Sequence, residues 1–479
     1  MVQGVNISDD GYIINTNPAT NEEISRIRVS TQSEIDETIQ KANEAQLTWS
    51  AVPLTERISI LKNICYAFGH EALSSKLAAK ITEEMGKPIS EAEDEVKEMI
   101  NKDALLDLIQ KANEDVVLGG SVLVRDALGV VAIVSPWNFP AGEIPLLALP
   151  ALAAGNAVIV KPSEVAPECG AMVVQTFASL LPPNTIQLLQ GDGTVGEMLV
   201  QSQDIHMVAM TGSSATGKKI MEKCAPKLKR LVLELGGKDP MVVFADADLD
   251  KAVNDAVTFS LFNTGQVCCA VERVYVEKSI QESFEQKVVE AAKAYVVGDG
   301  RVREHNVGPM VSAMQRDHVA KQVDDALKHG AKMLYQGGIP DSSSSLTNTG
   351  DNNNTQKGNY YPVTVLSGLK QDMDIQQAET FGPVVAISSF DGSEEEAVRL
   401  ANDTEYGLAG YVYSTDIDKA GRVARRMQSG QVGINCYSLL EADTACPWVG
   451  HKSSGFGYHS GEEGFKQFSI PKSLVYPGK

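Results

Sequence analysis

The arrangement of apolar and polar positions predicts a helical N-terminal region followed by alternating strands and helices. From about Ser33 to Gln110, apolar positions recur with a helical period, and Glu and Lys fall on the presumed outer faces. Further along the chain, short β-rich runs are each followed by a plausible helix. These runs are Val130–Val134, Ala157–Val160, Met207–Met210 and Leu231–Leu233. Alternation of this kind is typical of a parallel sheet with helices on both faces.

A second alternating series begins after Asp239 and predicts a second α/β domain. It comprises strands at 241–244, 273–276, 384–387 and 410–413 and a helix near Ala313–His329. We place the boundary between the two domains near Gly236–Lys238. The most apolar window, Ile144–Val160, is short for a membrane span and is interrupted by proline, so we interpret it as a buried helix followed by a buried strand.

One segment differs from the rest in composition. Residues 341–358 read DSSSSLTNTGDNNNTQKG, which is almost wholly polar and turn-forming. The segment has too little apolar surface to fold alone, so we predict an exposed loop insertion. A linker between domains is the alternative, but the strand signals on both sides favour a loop.

The composition sets the class of protein. The chain has 479 residues, of which 43% are hydrophobic and 22% charged, as in a globular protein of two or three domains at roughly 150 residues each. Lysine and arginine total 42 and aspartate and glutamate 62, so the net charge is 42 − 62 = −20. Phosphate binding needs a positive field, so we expect no nucleic-acid partner.

Cysteine usage and the first residues indicate the compartment. The seven cysteines are odd in number and irregularly spaced, which suits a reducing compartment and not a disulfide framework. There is no CxxC pair and the histidines are scattered, so we expect no metal site. The first residues lack a basic stretch followed by an apolar one. We therefore expect no secretory signal and no membrane partner, with the cytoplasm as the default location.

Adjacent cysteines provide the first candidate chemistry. Cys268 and Cys269 lie in FNTGQVCCA, residues 262–270, after a Thr-Gly turn signal. Adjacent cysteines rarely bond to each other, so one thiol is a candidate nucleophile. The alternative is that both are small buried apolar residues, the commoner fate of a free cysteine.

Two further candidates lie where chemistry needs a base and an oxyanion donor. Glu234 ends an apolar β run and is followed by Gly236–Gly237, so its carboxylate is a candidate general base in a cleft. Asn138 lies between aromatics in PWNFP, residues 136–140, where a rigid amide would stabilise an oxyanion. The alternative for Glu234 is a charged residue at the mouth of a loop. The alternative for Asn138 is a turn whose two aromatics pack into the core.

Two segments indicate a dinucleotide. VKPSE, residues 160–164, places Lys161 and Glu164 at the carboxyl end of a buried strand, where open α/β sheets bind ligands. MTGSSATGKK, residues 210–219, is a strand, a Gly-rich turn and a helix start, which favours a pyrophosphate. Neither is specific alone, since the first also suits an exposed ion pair and the second lacks the GxGxxG fingerprint.

Taken together, the order of these motifs resembles the aldehyde dehydrogenase superfamily, of the nonphosphorylating, hydrolytic type. PWNFP, KPSE, TGS, ELGGK, GQVC and ETFGPV occur in the family's order, and the resemblance extends from about residue 12 to the end. It implies a Rossmann-like cofactor domain, a second α/β catalytic domain and a small β oligomerisation arm. The implied limits are 1–110 and 126–236 for the cofactor domain, 237–450 for the catalytic domain, and 111–125 and 464–479 for the arm.

The resemblance also implies a role for each matching residue. Cys268, two residues after the Gly-Gln pair, would be the nucleophile, with Cys269 only its neighbour. Glu234 would activate water, and Asn138 with the Cys268 backbone N–H would hold the oxyanion. The residues implied to line the substrate pocket are Phe262 and Trp448, and those implied to bind the cofactor are Trp137, Lys161, Ser163, Glu164, Gly212, Ser213, Gly217, Glu379 and Phe381.

The reaction implied is oxidation of an aldehyde through a thiohemiacetal and a thioester, which water then hydrolyses. We favour NAD because Glu164 would accept two ribose hydroxyls and repel a 2′-phosphate. NADP stays open because Lys161 and Ser163 would partly offset that repulsion. The arm would consist of two strands around Asp115–Arg125 paired with Lys472–Tyr476, so the resemblance implies a homodimer or homotetramer.

The sequence departs from the family near the C-terminus. GHKSSGFGYHSG, residues 450–461, has Tyr458 and His459 where the family commonly has Arg and Glu, so a proton relay through that Glu is in doubt. The loop before it carries Glu441, Asp443 and Trp448 near the expected tunnel mouth, where acidic residues would disfavour carboxylate-bearing substrates. AVERVYV, after the cysteines, is similar to lactaldehyde- and glycolaldehyde-type members, a hint of small hydroxyaldehydes.

Three alternatives stay open. The first is a CoA-acylating relative, which needs no water-activating carboxylate, whereas Glu234 is present. The second is a relative that has lost catalysis and serves as a binding or structural protein, against which the intact Cys268, Glu234 and Asn138 argue. The third is a thiol esterase, which has no use for the TGS and KPSE segments.

Overall fold

The computed structural model describes residues 7–339 and 358–477. The N-terminal part is a strand pair followed by helices. In chain order these are β1 (Tyr12–Thr16), β2 (Glu23–Arg28), α1 (Gln32–Ser50), α2 (Leu54–Ala67), α3 (Glu71–Met85), α4 (Ile89–Lys97) and α5 (Asp103–Asn113). The helical region predicted for residues 33–110 is confirmed, whereas the sequence analysis missed the strand pair.

The next part alternates strands and helices. Its elements are β3 (Val116–Leu118), β4 (Ser121–Ala127), β5 (Val130–Val134), α6 (Glu143–Ala153), β6 (Ala157–Lys161), α7 (Pro167–Ala178), β7 (Ile186–Leu188), α8 (Gly193–Gln201), β8 (Met207–Thr211), α9 (Ser214–Cys224) and β9 (Arg230–Glu234). The apolar window that we interpreted as a helix and a strand forms α6 and β6, which confirms that interpretation.

The second half of the chain alternates in the same way and ends in short strands. Its first elements are β10 (Asp239–Val243), α10 (Leu249–Leu261), β11 (Val271–Glu277), α11 (Gln281–Ala292), α12 (Ala313–Lys328), β12 (Lys332–Gly337), β13 (Val363–Ser367), α13 (Asp374–Gln377), β14 (Val384–Phe390), α14 (Glu394–Asn402), β15 (Tyr406–Gly407), β16 (Ala409–Tyr413), α15 (Ile417–Arg426) and β17 (Gln431–Ile434). The last are α16 (Ser438–Glu441), β18 (Trp448–Val449), β19 (His451–Lys452), β20 (Gly455–Phe456), β21 (Tyr458–His459), α17 (Gly461–Phe465) and β22 (Ser469–Val475).

The first large sheet has the strand order β20-β9-β8-β5-β6-β7. Strands β5 to β9 are parallel, and β20 returns from near the C-terminus to pair antiparallel with β9. The runs VVAIV, AVIVK and MVAMT of β5, β6 and β8 are almost entirely buried. A parallel strand covered by helices on both faces has no solvent side, so its sequence is apolar throughout.

The second large sheet has the order β12-β13-β14-β11-β10-β16-β17. Only β12, at one edge, is antiparallel to its neighbour. The link from β9 to β10 is the short segment Leu235–Lys238, where the sequence placed the boundary between domains. Both sheets are therefore parallel α/β sheets in series, and the predicted fold class is confirmed.

A third sheet of three strands stands apart from both. Strand β4 pairs antiparallel with β3, and β22 pairs with β4 along its whole length, Ser469–Val475 on Ser121–Ala127. The C-terminal strand therefore begins earlier than the predicted Lys472 and contacts β4 and not β3. The predicted loop at 341–358 lies, except for Gly358, outside the described residues. Within residues 7–339 and 358–477, no helix is long and apolar enough to cross a membrane.

Candidate active site

Four sequence motifs lie at one edge of the first sheet. PWNFP follows β5, KPSE follows from the end of β6, TGS from the end of β8, and ELGGK from the end of β9. Because these neighbouring strands are parallel, their carboxyl ends share an edge. Ligands bind at that edge in open α/β sheets.

The remaining motifs lie at the amino edge of the second sheet, where its parallel strands begin. Cys268 precedes β11, and Glu379 and Phe381 precede β14. These parallel strands are neighbours, so the two segments meet at the amino edge of the second sheet. The short link from Glu234 to Asp239 brings this amino edge against the carboxyl edge of the first sheet. Contacts such as that of Asn138 with Gln266 and of Gly237 with Glu379 join the motifs of the two edges.

Cys268 follows a turn with an uncommon backbone conformation. After α10, Asn263, Thr264 and Gly265 have φ angles of 52°, 60° and 71°. Left-handed backbone in residues other than glycine costs free energy and persists where the surroundings fix it. Here the Asn263 Nδ2 donates to the carbonyl oxygens of Asn138, at 3.0 Å, and Gln266, at 3.1 Å. This buried amide joins the turn before Cys268 to the PWNFP segment.

Gly237 lies directly against the backbone of Cys268. A Cβ atom on Gly237 would be 2.3 Å from the Cys268 carbonyl oxygen, which is too close for any side chain. Through this contact the ELGGK segment reaches the loop that carries the cysteines. The structure thereby places Glu234 and Cys268, which are far apart in sequence, at one site.

Glu234 is buried and incompletely paired. The residue is only 5% exposed. Its Oε1 accepts a hydrogen bond from Trp448 Nε1 at 3.2 Å, and its Oε2 has no hydrogen-bond partner among the described residues. Burial first, and then the negative charge of Glu143, raise the pKa of Glu234 well above its usual range. A carboxyl with an unpartnered buried oxygen and a raised pKa is suited to take a proton from water.

Cys268 is partly exposed, whereas Cys269 is fully buried. A hydrogen bond with the Cys269 thiol, burial and the nearby Glu234 raise the pKa of Cys268. The Cys269 sulfur lies 3.3 Å from the Tyr437 hydroxyl, and the Cys269 carbonyl accepts from Tyr411 and Tyr437. Cys269 is thus held by two buried tyrosine hydroxyls, and Cys268 is the more accessible of the two thiols.

Asn138 is buried beside the cysteine loop and has a donor to spare. Its Nδ2 donates to the Gln266 carbonyl at 3.0 Å, and the residue is 5% exposed. A side-chain amide carries two N–H groups, so one remains for an oxyanion. Packing and this hydrogen bond fix the amide, which suits it to stabilise developing charge without reorganisation.

Lys161 is enclosed at the end of β6. Its Nζ donates to the carbonyl oxygens of Pro162, at 2.9 Å, and Gly191, at 2.8 Å, and to Glu164 Oε2 at 3.2 Å. Glu164 is partly exposed, whereas Ser163 is buried, and its hydroxyl accepts from the Val165 backbone. The ammonium and the carboxylate therefore form a pair at the strand end that suits recognition of sugar hydroxyls.

The TGS segment forms the start of α9. Ser213 is the N-cap, and its Oγ accepts from Thr216 N at 3.3 Å. The Gly212 N–H donates to the Glu234 carbonyl oxygen at 2.9 Å, so this turn and the ELGGK segment are directly joined. Gly217 packs on Leu235, to which a Cβ would come within 2.6 Å. A capped helix start beside a close backbone approach has the donors that a pyrophosphate needs.

The segment with Glu379 and Phe381 is held by a buried ion pair. Glu272 accepts from the backbone N–H groups of Thr380 and Phe381, both at 2.8 Å, and from Lys238 Nζ at 2.6 Å. Glu379 Oε1 accepts from Gly237 N at 3.0 Å, and burial raises the pKa of Glu379 to about 8. Glu272 thus fixes this segment against the ELGGK segment.

Aromatic rings line the cleft around the cysteine. Trp137 and Phe381 meet edge to face with ring centroids 5.4 Å apart, and Phe139 and Phe262 lie 6.2 Å apart. Phe139, Phe262 and Cys268 belong to one apolar cluster, which also contains the stacked pair Phe259 and Tyr437 and the buried Trp448. Trp448 is 8% exposed and donates to Glu234, so its indole is buried against this carboxyl.

The predicted residues therefore lie along these two sheet edges, whereas several residues that contact them were missed. The missed residues are Phe139, Glu143, Thr211, Glu272 and Tyr437. Phe139 was within the PWNFP motif, and its aromatic character was a usable signal. Thr211 lies in the TGS motif and Glu272 in AVERVYV, but the sequence analysis assigned no role to either residue. Nothing in the sequence distinguished Glu143 and Tyr437, because their contacts depend on how the elements pack.

The residues that depart from the family pattern, Tyr458 and His459, form a strand beside the one that carries Trp448. Strand β21 pairs with β18, and Trp448 is opposite His459. His459 is 5% exposed, its Nδ1 contacts Ser460 Oγ at 2.9 Å, and burial lowers its pKa to about 4. His459 is consequently uncharged near neutral pH and does not reproduce an acidic side chain at this position.

Comparison with known proteins gives one consistent result. The aldehyde dehydrogenase family matches residues 6–474. The betaine aldehyde dehydrogenase of Bacillus subtilis (strain 168) is 35% identical over 468 residues, which cover 96% of this chain and 92% of that protein.

Two solved structures show the same similarity in three dimensions. A mutant of aldehyde dehydrogenase C from Pseudomonas syringae, in complex with NAD+ and octanal, has a TM-score of 0.89 at 30% identity and covers 98% of this chain and 94% of its own. The lactaldehyde dehydrogenase of Escherichia coli has a TM-score of 0.87 at 32% identity and covers 97% and 95%.

Proposed function

The chain belongs to the aldehyde dehydrogenase family, and on this premise we propose that it oxidises an aldehyde to the acid by the hydrolytic route. It is an NAD(P)-dependent enzyme, as its relatives are. The observation that carries the hydrolytic route is Glu234, a buried carboxyl with an unpartnered oxygen at the site of Cys268. Burial of a carboxyl without a full set of hydrogen bonds costs folding free energy. A role as the general base that activates water explains why such a carboxyl is present.

Cys268 is the proposed nucleophile because it is the exposed member of the cysteine pair. Its sulfur adds to the aldehyde carbon, and the carbonyl oxygen becomes an oxyanion. The free N–H of Asn138 and the Cys268 backbone N–H hold that oxyanion. Removal of one such donor typically costs about 10²–10³ in rate. The thiol must lose its proton first, so rates should rise with pH.

Residues along the carboxyl edge of the first sheet fit a nicotinamide dinucleotide. The capped start of α9 suits the pyrophosphate, and Lys161 with Glu164 suits a ribose. Trp137, Glu379 and Phe381 lie on the side towards Cys268, where the nicotinamide end is needed. A nicotinamide held there would supply the hydride acceptor for the thiohemiacetal carbon, and Cys268 would then carry the acyl group as a thioester.

Glu234 completes the reaction by removing a proton from water. The water oxygen attacks the thioester carbon, the carbon–sulfur bond breaks, and the acid leaves while Cys268 regains its thiol or thiolate form. Glu234 can act only when ionised, and its pKa is raised above its usual range. The hydrolytic step should therefore increase with pH until Glu234 is fully ionised.

We propose NAD as the preferred cofactor. Glu164 is an acceptor for ribose hydroxyls, and its charge opposes a 2′-phosphate. Lys161 partly offsets that charge at 3.2 Å, so NADP use at lower efficiency is expected.

We propose that the three-stranded sheet is an oligomerisation arm. Its edge strand β3 exposes Val116, Val117 and Leu118, at 47%, 73% and 58%. An exposed apolar edge strand is a template for pairing with another chain, so a homodimer or homotetramer is expected. We also propose the domain limits given above for the whole chain and a cytoplasmic location. Light scattering of wild type and Val117→Lys tests it, since a wild-type monomer would contradict it.

The test of the function is formation of reduced nicotinamide across an aldehyde panel, with NAD and with NADP. The panel spans small hydroxyaldehydes and aliphatic, aromatic and semialdehyde substrates. The rings of Phe139 and Phe262, in the apolar cluster of Cys268, favour an aldehyde with an apolar carbon chain. Cys268→Ala should abolish turnover, whereas Cys269→Ala, the matched control, should retain most of it. Turnover in Cys268→Ala would contradict the mechanism. Product formation that requires CoA would favour the acylating alternative, and binding of NAD without any turnover would favour a relative that has lost catalysis.

A further inference from the structure

A second buried carboxyl, that of Glu143, contacts the strand next to the one that carries Glu234. Glu143, in the first turn of α6, accepts a hydrogen bond at its Oε2 from the Thr211 hydroxyl at 3.0 Å. Thr211 is the last residue of β8, and its direct partner on β9 is Glu234. Opposite residues of neighbouring parallel strands point to the same face of a sheet. Glu143 and Glu234 are therefore brought to one side of the sheet, with Thr211 as the common neighbour.

Neither carboxyl has a cation of its own. Lys87, the cation that acts on Glu143, is already paired with Glu95 at 2.5 Å. Glu95 in turn accepts at its Oε1 from the backbone N–H groups of Ala141 and Gly142, so it is fully used in holding the start of α6. Among the described residues, no lysine or arginine forms an ion pair with Glu143 or Glu234. Two carboxyls so placed cannot both be charged at low cost.

We propose that Glu143 is a positioning residue of the hydrolytic step: with Glu234 it holds a single proton, and hydrolysis of the thioester proceeds when that proton lies on Glu143. This inference rests on the proposed function. Glu143 does not touch the reacting atoms and acts through Glu234 alone. While the proton lies on Glu143, Glu234 is ionised and can take a proton from water; while it lies on Glu234, the base is blocked.

The surroundings agree with a shared proton. Burial raises the pKa of Glu143 to about 7, and the charge of Glu143 is the second cause that raises the pKa of Glu234. An ionised Glu143 therefore opposes the ionisation of Glu234, so the two carboxyls compete for one proton. The other titratable groups that face the pair are Cys268 and Cys269 before β11, Lys87 and Glu95 from the region of α4, and His459 on β21.

The decisive variant is Glu143→Gln, which keeps the shape and acceptor and removes the charge and the exchangeable proton. Glu234 then ionises at lower pH. The acid limb of the hydrolysis rate should move down by about one pH unit. Glu143→Asp should restore a profile close to that of wild type. Glu222→Gln, an exposed position on α9, is the matched control and should leave the profile unchanged.

The measurement follows the thioester itself in a single turnover. Protein in excess over propanal, with saturating NAD, is quenched with acid at successive times, and the mass of the intact chain reports the propionyl group on Cys268. Its decay gives the hydrolysis rate at each pH, whereas its formation reports the earlier steps. The two must be separated because the charge of Glu143 also raises the pKa of Cys268.

The outcomes are distinct. Absence of both reduced nicotinamide and the propionyl group in wild type would contradict the proposed function for this aldehyde. Formation and decay in wild type with the same pH dependence in Glu143→Gln would overturn the role of Glu143. If Glu143→Gln does not fold, Thr211→Val serves instead. It removes the donor that favours ionised Glu143, so the acid limb should move down by a smaller amount, and an unchanged limb would overturn the proposal.

Discussion

Gly237 approaches Cys268 so closely that a Cβ atom at position 237 would lie 2.3 Å from the Cys268 carbonyl oxygen. The obstacle is backbone, so it cannot rotate away as a side chain would. This contact sets the distance between the segment that carries Glu234 and the loop that carries Cys268. The geometry of the site therefore depends on the absence of one side chain.

Gly237→Ala should displace the cysteine loop and lower kcat by about 100-fold or more, because misplacement of reacting groups by about 1 Å has that effect. Gly421→Ala is the control: Gly421 lies within α15, and its Cβ would meet nothing within 4 Å. That change should leave kcat unaltered and stabilise the fold by up to about 1 kcal/mol. Steady-state kinetics and thermal unfolding of both variants check this. Wild-type turnover in Gly237→Ala would refute the argument.

Glu234→Gln should separate the two halves of the reaction. Gln can still accept from Trp448 Nε1 but cannot take a proton from water, so hydrolysis should slow by about 10²–10⁴ while thioester formation continues. Rapid mixing should show one equivalent of reduced nicotinamide per site followed by a very slow phase. Equal loss of both phases would mean that Glu234 does not act specifically in hydrolysis.

Much of the site could be predicted because the buried parallel strands are explicit in the sequence. Runs such as Val130–Val134 are apolar throughout, so the sequence alone assigns the polar motifs that follow them to strand ends. The edge of the sheet on which those motifs meet then follows from the parallel topology. By contrast, β1 is only partly buried and no residue of β2 is buried, so their apolar signal is weak.

The contacts that arise between elements could not be predicted from the sequence. Glu272 lies in VERVYV and suggests a charge on an outer face, yet it is 7% exposed and holds two backbone N–H groups of a distant segment. Glu143 stands immediately before the apolar window and suggests only the polar start of a helix. Its importance depends on the register that sets Thr211 opposite Glu234. A two-residue strand such as β20 is likewise defined by pairing and not by pattern.

Glu272→Gln should weaken cofactor binding more than catalysis. Lys238 is fully buried and its charge is balanced by Glu272, so the change leaves an uncompensated charge and should cost about 3–5 kcal/mol of stability. The segment with Glu379 and Phe381 also loses an acceptor. KM for NAD should rise by about tenfold, with a smaller fall in kcat. Chemical denaturation and NAD titration check this against Glu282→Gln, an exposed position on α11. An unchanged KM would show that Glu272 serves the fold alone.

Glu164→Gln should shift the balance between the two cofactors. The change removes the carboxylate that opposes a 2′-phosphate and leaves Lys161 without its partner at 3.2 Å. Loss of the carboxylate should change the relative binding free energy of the two cofactors by about 1.4 kcal/mol, which corresponds to a tenfold change in affinity. The ratio of kcat/KM for NAD to that for NADP should therefore fall by about tenfold. Both cofactors are measured with one aldehyde on the same preparation, which makes each the control of the other. A ratio that stays constant would remove Glu164 from cofactor selection.

The pair of carboxyls also predicts how stability depends on pH. The pKa of Glu143 rises on folding to about 7, so between about pH 4.5 and 7 the folded chain binds more protons than the unfolded chain. The contribution of Glu143 to stability therefore falls as pH rises through this range and is constant above it. Glu143→Gln removes the contribution and lowers the pKa of Glu234, so wild type should lose more stability than the variant between about pH 5 and 7.

This difference can be measured although other buried carboxyls have raised pKa values. Glu84, at about 7, and Glu91, at about 8, contribute equally to wild type and variant and cancel. Urea unfolding at several pH values gives the free energy of each protein, and Glu222→Gln should run parallel to wild type. Parallel curves for wild type and Glu143→Gln would mean that Glu143 keeps an ordinary pKa, and the shared proton would then have no basis. A divergence that begins below about pH 7 would support it independently of any substrate, because no turnover enters the measurement.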